Sequence, residues 1–257
     1  MKTKNLFILL AIASMMTLAS CTKDEAPSPL TKEEATAALT SVDGDYSTSM
    51  TAFEASTGNQ VLNAVDNLGL DFSNSIKKSP IIPEGLQMDI NKHYSSAFLK
   101  KGGDSFLDFD FTNNVGTWHK VNGEWVKTPD QTNKIVVIFS YNGIADNGTL
   151  TYSNYAVKNY SIGTQSVPYM SSLSCTVDIA GSSNPVASWT YTANMSGSLT
   201  AIKMSMNLVR TLGVYSLTHS FAFETNTSGG LISVFEEIKK SGEVIKATSF
   251  SMRLAGS

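Results

Sequence analysis

The chain has 257 residues, with 19 lysine and arginine side chains, 22 aspartate and glutamate side chains and a formal net charge of −3. This length allows one large domain or two small ones. The acidic balance argues against nucleic acid as a partner, because nucleic-acid recognition requires basic patches.

The first residues have the composition of an export signal. Lys2 and Lys4 form a basic start, and an apolar run from Leu6 to Leu18 follows. That run is too short to span a bilayer core of about 30 Å, which takes about 20 residues. We therefore interpret residues 1–20 as a cleaved signal peptide rather than a transmembrane helix.

A cysteine stands directly after this segment. Leu18-Ala19-Ser20-Cys21 resembles a bacterial lipobox, in which the cysteine is acylated and becomes the first residue of the mature chain. The resemblance predicts lipidation of Cys21, with residues 21–30 as a tether. Several acyl chains hold a protein firmly on a bilayer, because each buried CH₂ contributes about 0.8 kcal/mol. An ordinary signal peptide with an incidental cysteine is the alternative.

The charges after the cysteine bear on location. Lys23-Asp24-Glu25 resembles the surface-export signal of Bacteroidetes lipoproteins, which implies an outer-membrane protein displayed at the cell surface. The alternative is a solvated tether on the periplasmic face, since charges and prolines also suit a linker. Without residues 1–20 the net charge is near −5, so electrostatic docking on anionic lipid is not expected. Acylated Cys21 also leaves Cys175 without a partner for an intrachain disulfide.

Helical signals come first in the mature chain. Thr31-Lys32-Glu33-Glu34 is a capping box, which predicts a helix that begins there. Asp43-Gly44-Asp45 predicts a turn, followed by a second helix over 46–56. Apolar residues at helical spacing over 61–68 predict a third helix.

The chain after Pro83 has the pattern of strands and turns. Asn122-Gly123 is a strong hairpin signal, and a two-residue loop places 121 opposite 124. One face of this hairpin then carries a cation–π ladder, formed by Trp118, Lys120, Trp125 and Lys127. Further strands are predicted over 134–141, 149–157, 172–179, 186–195, 201–209, 212–224, 231–239 and 243–254.

Most of these strands alternate apolar and polar residues, as antiparallel sheets with one wet face do. We therefore predict a mainly β fold of the α+β class, with an N-terminal helical unit followed by a large antiparallel sheet. The sheet is either curved or folded into a sandwich. Residues 31–257 form a single domain in this interpretation, and an alternative places a subdomain boundary near 163–168.

Several of these segments resemble a known group of proteins. Gly116-Thr117-Trp118, Trp125-Val126-Lys127, Ile135 to Phe139 and Asn147 to Tyr155 resemble strand signatures of uncharacterised Bacteroidetes outer-membrane lipoproteins. These proteins also place a small helical unit after the lipidated cysteine. The resemblance covers roughly residues 21–160 and departs from the family pattern at Ser140, where we expect proline. It implies a location and a fold class, and no activity.

Catalytic motifs are weak. Ser75-Ile76-Lys77-Lys78, Tyr152-Ser153-Asn154 and Lys240-Ser241-Gly242 have the order of the motifs in serine β-lactamases and penicillin-binding proteins. However, Pro80 disfavours a helix at the first motif, and strands are predicted where that family has helices. The three histidines, His93, His119 and His219, are not at metal-ligand spacing. The sequence favours a non-catalytic protein without cofactor or metal, and leaves enzymatic activity open.

Two ligand hypotheses follow from particular side chains. Trp118 and Trp125 would stack on a sugar ring if they are exposed, and are structural otherwise. Met195, Met204 and Met206 either fill the core or line an apolar cavity, because methionine adapts to varied apolar ligands. The leading prediction is a lipid-anchored, non-catalytic binding or assembly protein of unknown ligand, for which a glycan is one candidate. The alternative is a carrier of lipid or another apolar ligand in a half-barrel.

Overall fold

The computed structural model describes residues 31–70, 72, 109–162, 164–183, 185–198 and 201–255. The chain divides into two compact units, residues 1–44 and residues 45–257. The predictions for Cys21, Ser75 and His93 lie outside the described residues.

Helix α1, Lys32–Glu54, begins at the predicted capping box. The Thr31 backbone N–H donates to Glu34 Oε2 at 2.8 Å, and the Glu34 N–H donates to Thr31 Oγ1 at 3.2 Å. The predicted turn at residues 43–45 is wrong, because α1 continues through Gly44. A glycine costs about 1 kcal/mol relative to alanine inside a helix, which is too little to interrupt a 23-residue helix.

Helix α2, Thr57–Asp66, begins at the Ser56 cap and buries Val61, Leu62 and Val65. Its first turn lies very close to the sheet, because a Cβ on Gly58 would stand 2.7 Å from Leu212 Cα. A short helix α3, Phe111–Asn114, follows the Asp110 cap.

Ten strands follow, and they form one sheet. They are β1 Gly116–Val121, β2 Glu124–Thr128, β3 Ile135–Tyr141, β4 Ile144–Ile162, β5 Gln165–Ile179, β6 Ala187–Ser198, β7 Ala201–Leu212, β8 Tyr215–Asn226, β9 Gly229–Lys240 and β10 Glu243–Ala255. The order is β10-β9-β8-β7-β6-β5-β4-β3-β1-β2. The mainly β fold class with preceding helices is therefore confirmed.

One pair of strands departs from the antiparallel pattern. β1 pairs in parallel with β3, and the register places Trp118 beside Val137. Residues 163–168 lie at the β4–β5 connection, where Asn159 pairs with Pro168, so the sheet continues across this segment.

The two faces of the sheet differ in character. One face carries the core, whose largest fully buried side chains on the sheet include Tyr152, Trp189 and Tyr191. Phe72 packs on this face against Trp118 and Tyr152, with ring centroids 5.4 and 6.2 Å apart. The opposite face of β6 to β10 carries mostly serine, threonine and asparagine, and among the described strands β2 and β10 form the two edges.

Candidate functional site

The β1–β2 hairpin has the predicted register. Trp118 lies opposite Lys127, and Lys120 lies opposite Trp125. Lys120 Nζ is 5.3 Å from the centroid of the Trp125 ring, and Lys127 Nζ is 5.8 Å from that of Trp118. The predicted cation–π ladder is therefore present.

The two indole rings are half-buried rather than exposed. Trp118 Nε1 donates to the Asn114 carbonyl at 2.9 Å, and Trp125 Nε1 donates to the Leu68 carbonyl at 3.1 Å. Both rings also pack against the core. These contacts bind the hairpin to the body of the protein, in agreement with the structural alternative for both tryptophans.

The three methionines lie on the core face of the sheet. Met204 and Met206 are 4% and 3% exposed, and Met195 is half-buried. Met204 lies between Met195 on β6 and Phe223 on β8. The environment of Met195 and Met204 agrees with core filling, whereas Met206 is among the residues that line the cavity described below.

Two of the three serine-enzyme motifs lie in the described residues, and they occupy unrelated environments. Tyr152 is fully buried in the sheet, and burial raises its pKa well above the usual range. Lys240 stands at the end of β9, where Ser241 and Gly242 have φ values of 51° and 90° and form a hairpin turn. Its ammonium lies 5.9 Å from the centroid of the Tyr215 ring.

Histidines and carboxylates do not assemble a metal site. His219 Nδ1 is 3.4 Å from Glu236 Oε1 on the neighbouring strand. Asp110 is used as a helix cap, since the Asn113 N–H donates to its Oδ1 at 3.1 Å. Within the described ranges, no three histidine, cysteine or acidic side chains are placed to hold a metal ion.

Membrane contact rests on the segment around Cys21, which lies outside the described residues. In the part of the chain that the structure describes, no helix is both long enough and apolar enough to cross a bilayer. Lipidation of Cys21 therefore stays a prediction from the sequence.

A cavity of about 440 Å³ lies on the hydroxyl-rich face of β6 to β10. We call it the polar groove. Two rows of side chains that run across the five strands face it. One row contains Thr192, Asn207, Ser220, Phe235 and Ser249, and the next contains Asn194, Ser205, Ala222, Ser233 and Ser251. Four gaps between strands give the groove a length of about 19 Å.

Larger side chains border the polar groove on one side. Lys203 and Glu224 approach to 3.6 Å there, and the same row of the sheet continues to Leu231 on β9 and Arg253 on β10. None of the residues that line the groove itself carries an ionisable side chain. The groove is therefore a neutral surface with a charged border.

Hydrogen-bonding groups in the polar groove are only partly used within the protein. Ser220 Oγ donates to Asn207 Oδ1 at 2.9 Å, and the Ser233 and Ser251 hydroxyls are 3.3 Å apart. Four further polar side chains are exposed to solvent, those of Thr192, Asn194, Ser205 and Ser249. Phe235 is 37% exposed and adds one aromatic surface.

Sequence reasoning missed the polar groove. The alternation of serine, threonine and asparagine along each strand was visible, but that pattern is also typical of a plain solvated face. The groove depends on which residues of five strands share a row, and that register is set by pairing. Comparisons with protein-family models, with curated proteins and with solved structures find no match for this chain.

Proposed function

We propose that this chain is a lipid-anchored outer-membrane lipoprotein of the cell surface, which binds a ligand without transforming it. The observation that carries the binding role is the polar groove, a neutral cavity of about 440 Å³ that combines hydroxyl and amide groups with a larger apolar surface, to which Met206, Phe221 and Phe235 belong. The lipobox-like Leu18 to Cys21 and the acidic tether support the anchor and the location.

The chemistry of the polar groove favours a neutral glycan as the ligand. Hydroxyl and amide side chains both donate and accept hydrogen bonds, and sugar hydroxyls do the same. Phe235 offers an apolar face to the C–H side of a sugar ring. A charged ligand would find no counter-charge among the lining residues.

A peptide ligand fits the polar groove less well. Extended peptides are commonly bound by adding a strand to a free sheet edge, where backbone groups are available. The backbone groups under the middle of the groove are already paired, because β7, β8 and β9 each have a neighbour on both sides. Recognition there relies on side chains, which suits a glycan.

Glycan arrays test the binding role. We expect the chain to bind neutral oligosaccharides, and Phe235→Ala and Asn194→Ala to weaken binding at least tenfold. Tyr46→Ala is the matched control, because Tyr46 is 38% exposed and lies on α1, away from the lining residues. Unchanged binding by both groove variants would contradict the groove as the site. Trp118→Ala tests in the same assay whether the β1–β2 hairpin contributes to glycan binding.

The anchor is tested separately. Cells that express the chain should incorporate labelled palmitate, and Cys21→Ala should abolish the label and release the protein from the membrane fraction. Protease added to intact cells should digest the chain if it faces outward. Protection from protease with retained label would assign the protein to the periplasmic face.

A carrier of lipid or another apolar ligand is the second candidate. It is favoured by an apolar row across β6 to β10, which runs from Met195 through Met204 to Met252. Met252 is 42% exposed, so this row reaches solvent at the edge of the sheet. Native mass spectrometry of a soluble form that starts after Cys21, released from cells without detergent, should show a bound mass in this case. A ligand-free mass would contradict it.

A further inference from the structure

The last strand of the sheet has an unusual edge. β10 has 13 residues, and its central residues, from Ala247 to Met252, include no charged side chain. Phe250 is 55% exposed and Met252 is 42% exposed. Natural sheets usually protect edge strands with charges, prolines or short length, because an open edge pairs with other chains. The centre of β10 has none of these protections.

The opposite edge strand is protected. β2 has five residues, with Glu124 and Lys127 within it and Pro129 directly after it. The same protein therefore shields one edge along its length, whereas the other edge has a bulge at Val244 to Lys246 and charges only outside its centre. This difference indicates that the edge of β10 is covered in the working protein.

We propose that a second copy of this chain covers it, by antiparallel pairing of β10 with β10 about a twofold axis at Phe250. In this register Phe250 lies opposite Phe250 of the second copy, and Thr248 lies opposite Met252. A twofold axis gives a closed, self-complementary interface. The register brings the two most exposed apolar side chains of the core face of β10 to the centre of the contact, where cross-strand aromatic pairs are favourable.

Charges agree with the same register. Arg253 of each copy then lies opposite Ala247 of the other. The inner neighbour of Ala247 on β9 is Glu237, and all three side chains lie on the same face of the extended sheet. Glu237 already forms an ion pair with Lys239. A long arginine side chain extends over a small alanine towards Glu237, so the axis adds Arg253 of one copy to the Glu237–Lys239 pair of the other, twice.

The register also extends the polar groove. Its two rows end on β10 at Ser249 and Ser251. In the proposed pairing Ser249 meets Ser251 of the second copy, so each row continues into a row of the other copy. The two grooves join end to end into one surface across both sheets. This pairing does not depend on the identity of the ligand proposed above.

Cysteine cross-linking in intact cells tests the pairing with the full chain. Residues directly opposite in an antiparallel pair have Cα atoms about 4.5–5.5 Å apart, which is within the range for a disulfide. Phe250→Cys should form a dimer on mild oxidation that a reducing agent reverses. Thr248→Cys alone should not, whereas co-expressed Thr248→Cys and Met252→Cys chains should. The unsubstituted chain gives the background from Cys21 and Cys175, and Thr128→Cys reports on the β2 edge.

The outcomes distinguish β10–β10 pairing in this register from pairing in another register and from contact with another partner. Strong dimers with Phe250→Cys and background levels with Thr248→Cys and Thr128→Cys support the proposal. Dimers with Thr248→Cys but not with Phe250→Cys would overturn the register. Background levels with every variant would overturn pairing by a second copy and assign the edge to another partner. Because the glycan assay is separate, a failure of the cross-linking test leaves the proposed function unaffected.

Discussion

The two ends of the sheet are built differently. At the β2 end, both tryptophans bond to backbone carbonyls and pack against the core. At the β10 end, Phe250 and Met252 remain exposed on a strand whose charged side chains lie outside its centre. The first end is fastened by indole hydrogen bonds to the segments that precede it, whereas the second end has the strand ladder and the packing of Val234, Ile238 and Ile245 against the core. The polar groove lies on β6 to β10, in the part of the sheet that ends at β10. The fastened hairpin and the proposed binding surface therefore lie at opposite ends of the sheet.

The largest expected effect on stability comes from removing the contacts of Trp125 at the β2 end of the sheet. Trp125→Ala removes the hydrogen bond to the Leu68 carbonyl and leaves a cavity beside the core. We expect the free energy of unfolding to fall by about 2–4 kcal/mol. Urea unfolding followed by tryptophan-independent circular dichroism measures it.

Two variants serve as controls for this loss. Trp125→Phe keeps most of the ring and removes the donor, so it should cost about 1 kcal/mol. Phe250→Ala truncates an aromatic side chain at the other edge and should cost less than about 1 kcal/mol in the monomer, because the ring is mostly exposed. Equal losses at the two edges would refute the contrast between the ends.

The next effect concerns the contact of α2 with the sheet. A Cβ at Gly58 would stand 2.7 Å from Leu212 Cα on β7, so Gly58→Ala forces helix and strand apart. We expect a loss of about 1–3 kcal/mol, although alanine favours a helix. Thermal unfolding of the variant measures it.

Gly44→Ala is the matched control for this substitution. Gly44 lies inside α1, and no atom lies within 4 Å of the position of its Cβ. Here the same exchange should increase helical circular dichroism and stabilise α1 by about 1 kcal/mol. A stabilising Gly58→Ala would show that α2 does not approach the sheet as closely as described.

Local features, such as a helix cap and a hairpin turn, were predictable from the sequence, whereas the pairing of β1 with β3 was not. The Asn122-Gly123 turn fixed the register of its hairpin, because a two-residue loop determines which residues face each other. The capping box at Thr31 identified the start of α1 for the same local reason. The parallel pair of β1 with β3 depends on contacts that no turn between them specifies.

The candidate site illustrates the same limit. The alternation of Trp118 and Trp125 with lysines left both an exposed and a structural role open. The indole hydrogen bonds to the Asn114 and Leu68 carbonyls favour the structural role, and only the folded chain brings Leu68 to Trp125. The polar groove, in turn, combines Thr192 with residues of four later strands. No local pattern in the sequence indicates that combination.

The smallest expected effect on stability comes from Asp66, the last residue of α2, which lies over the middle of the sheet. Removal of water by the surrounding protein raises the pKa of Asp66 to about 6, and the nearby Arg210 charge only partly offsets this. The ordinary pKa of aspartate is about 3.9. The folded state therefore binds the proton more tightly than the unfolded state, and stability falls as the pH rises from about 4 to about 6.

Asp66→Asn removes this dependence. Above pH 6 the variant should be more stable than the parent by less than about 1 kcal/mol, because the Asp66 side chain is exposed to solvent, which screens its charge. At pH 4 the two proteins should unfold at the same urea concentration. Glu54→Gln removes a carboxylate from an exposed position at the end of α1 and controls for net charge. An equal gain in stability at pH 4 and pH 7.5 would assign the effect to helix propensity. Loss of water around the Asp66 carboxylate would then cost no stability.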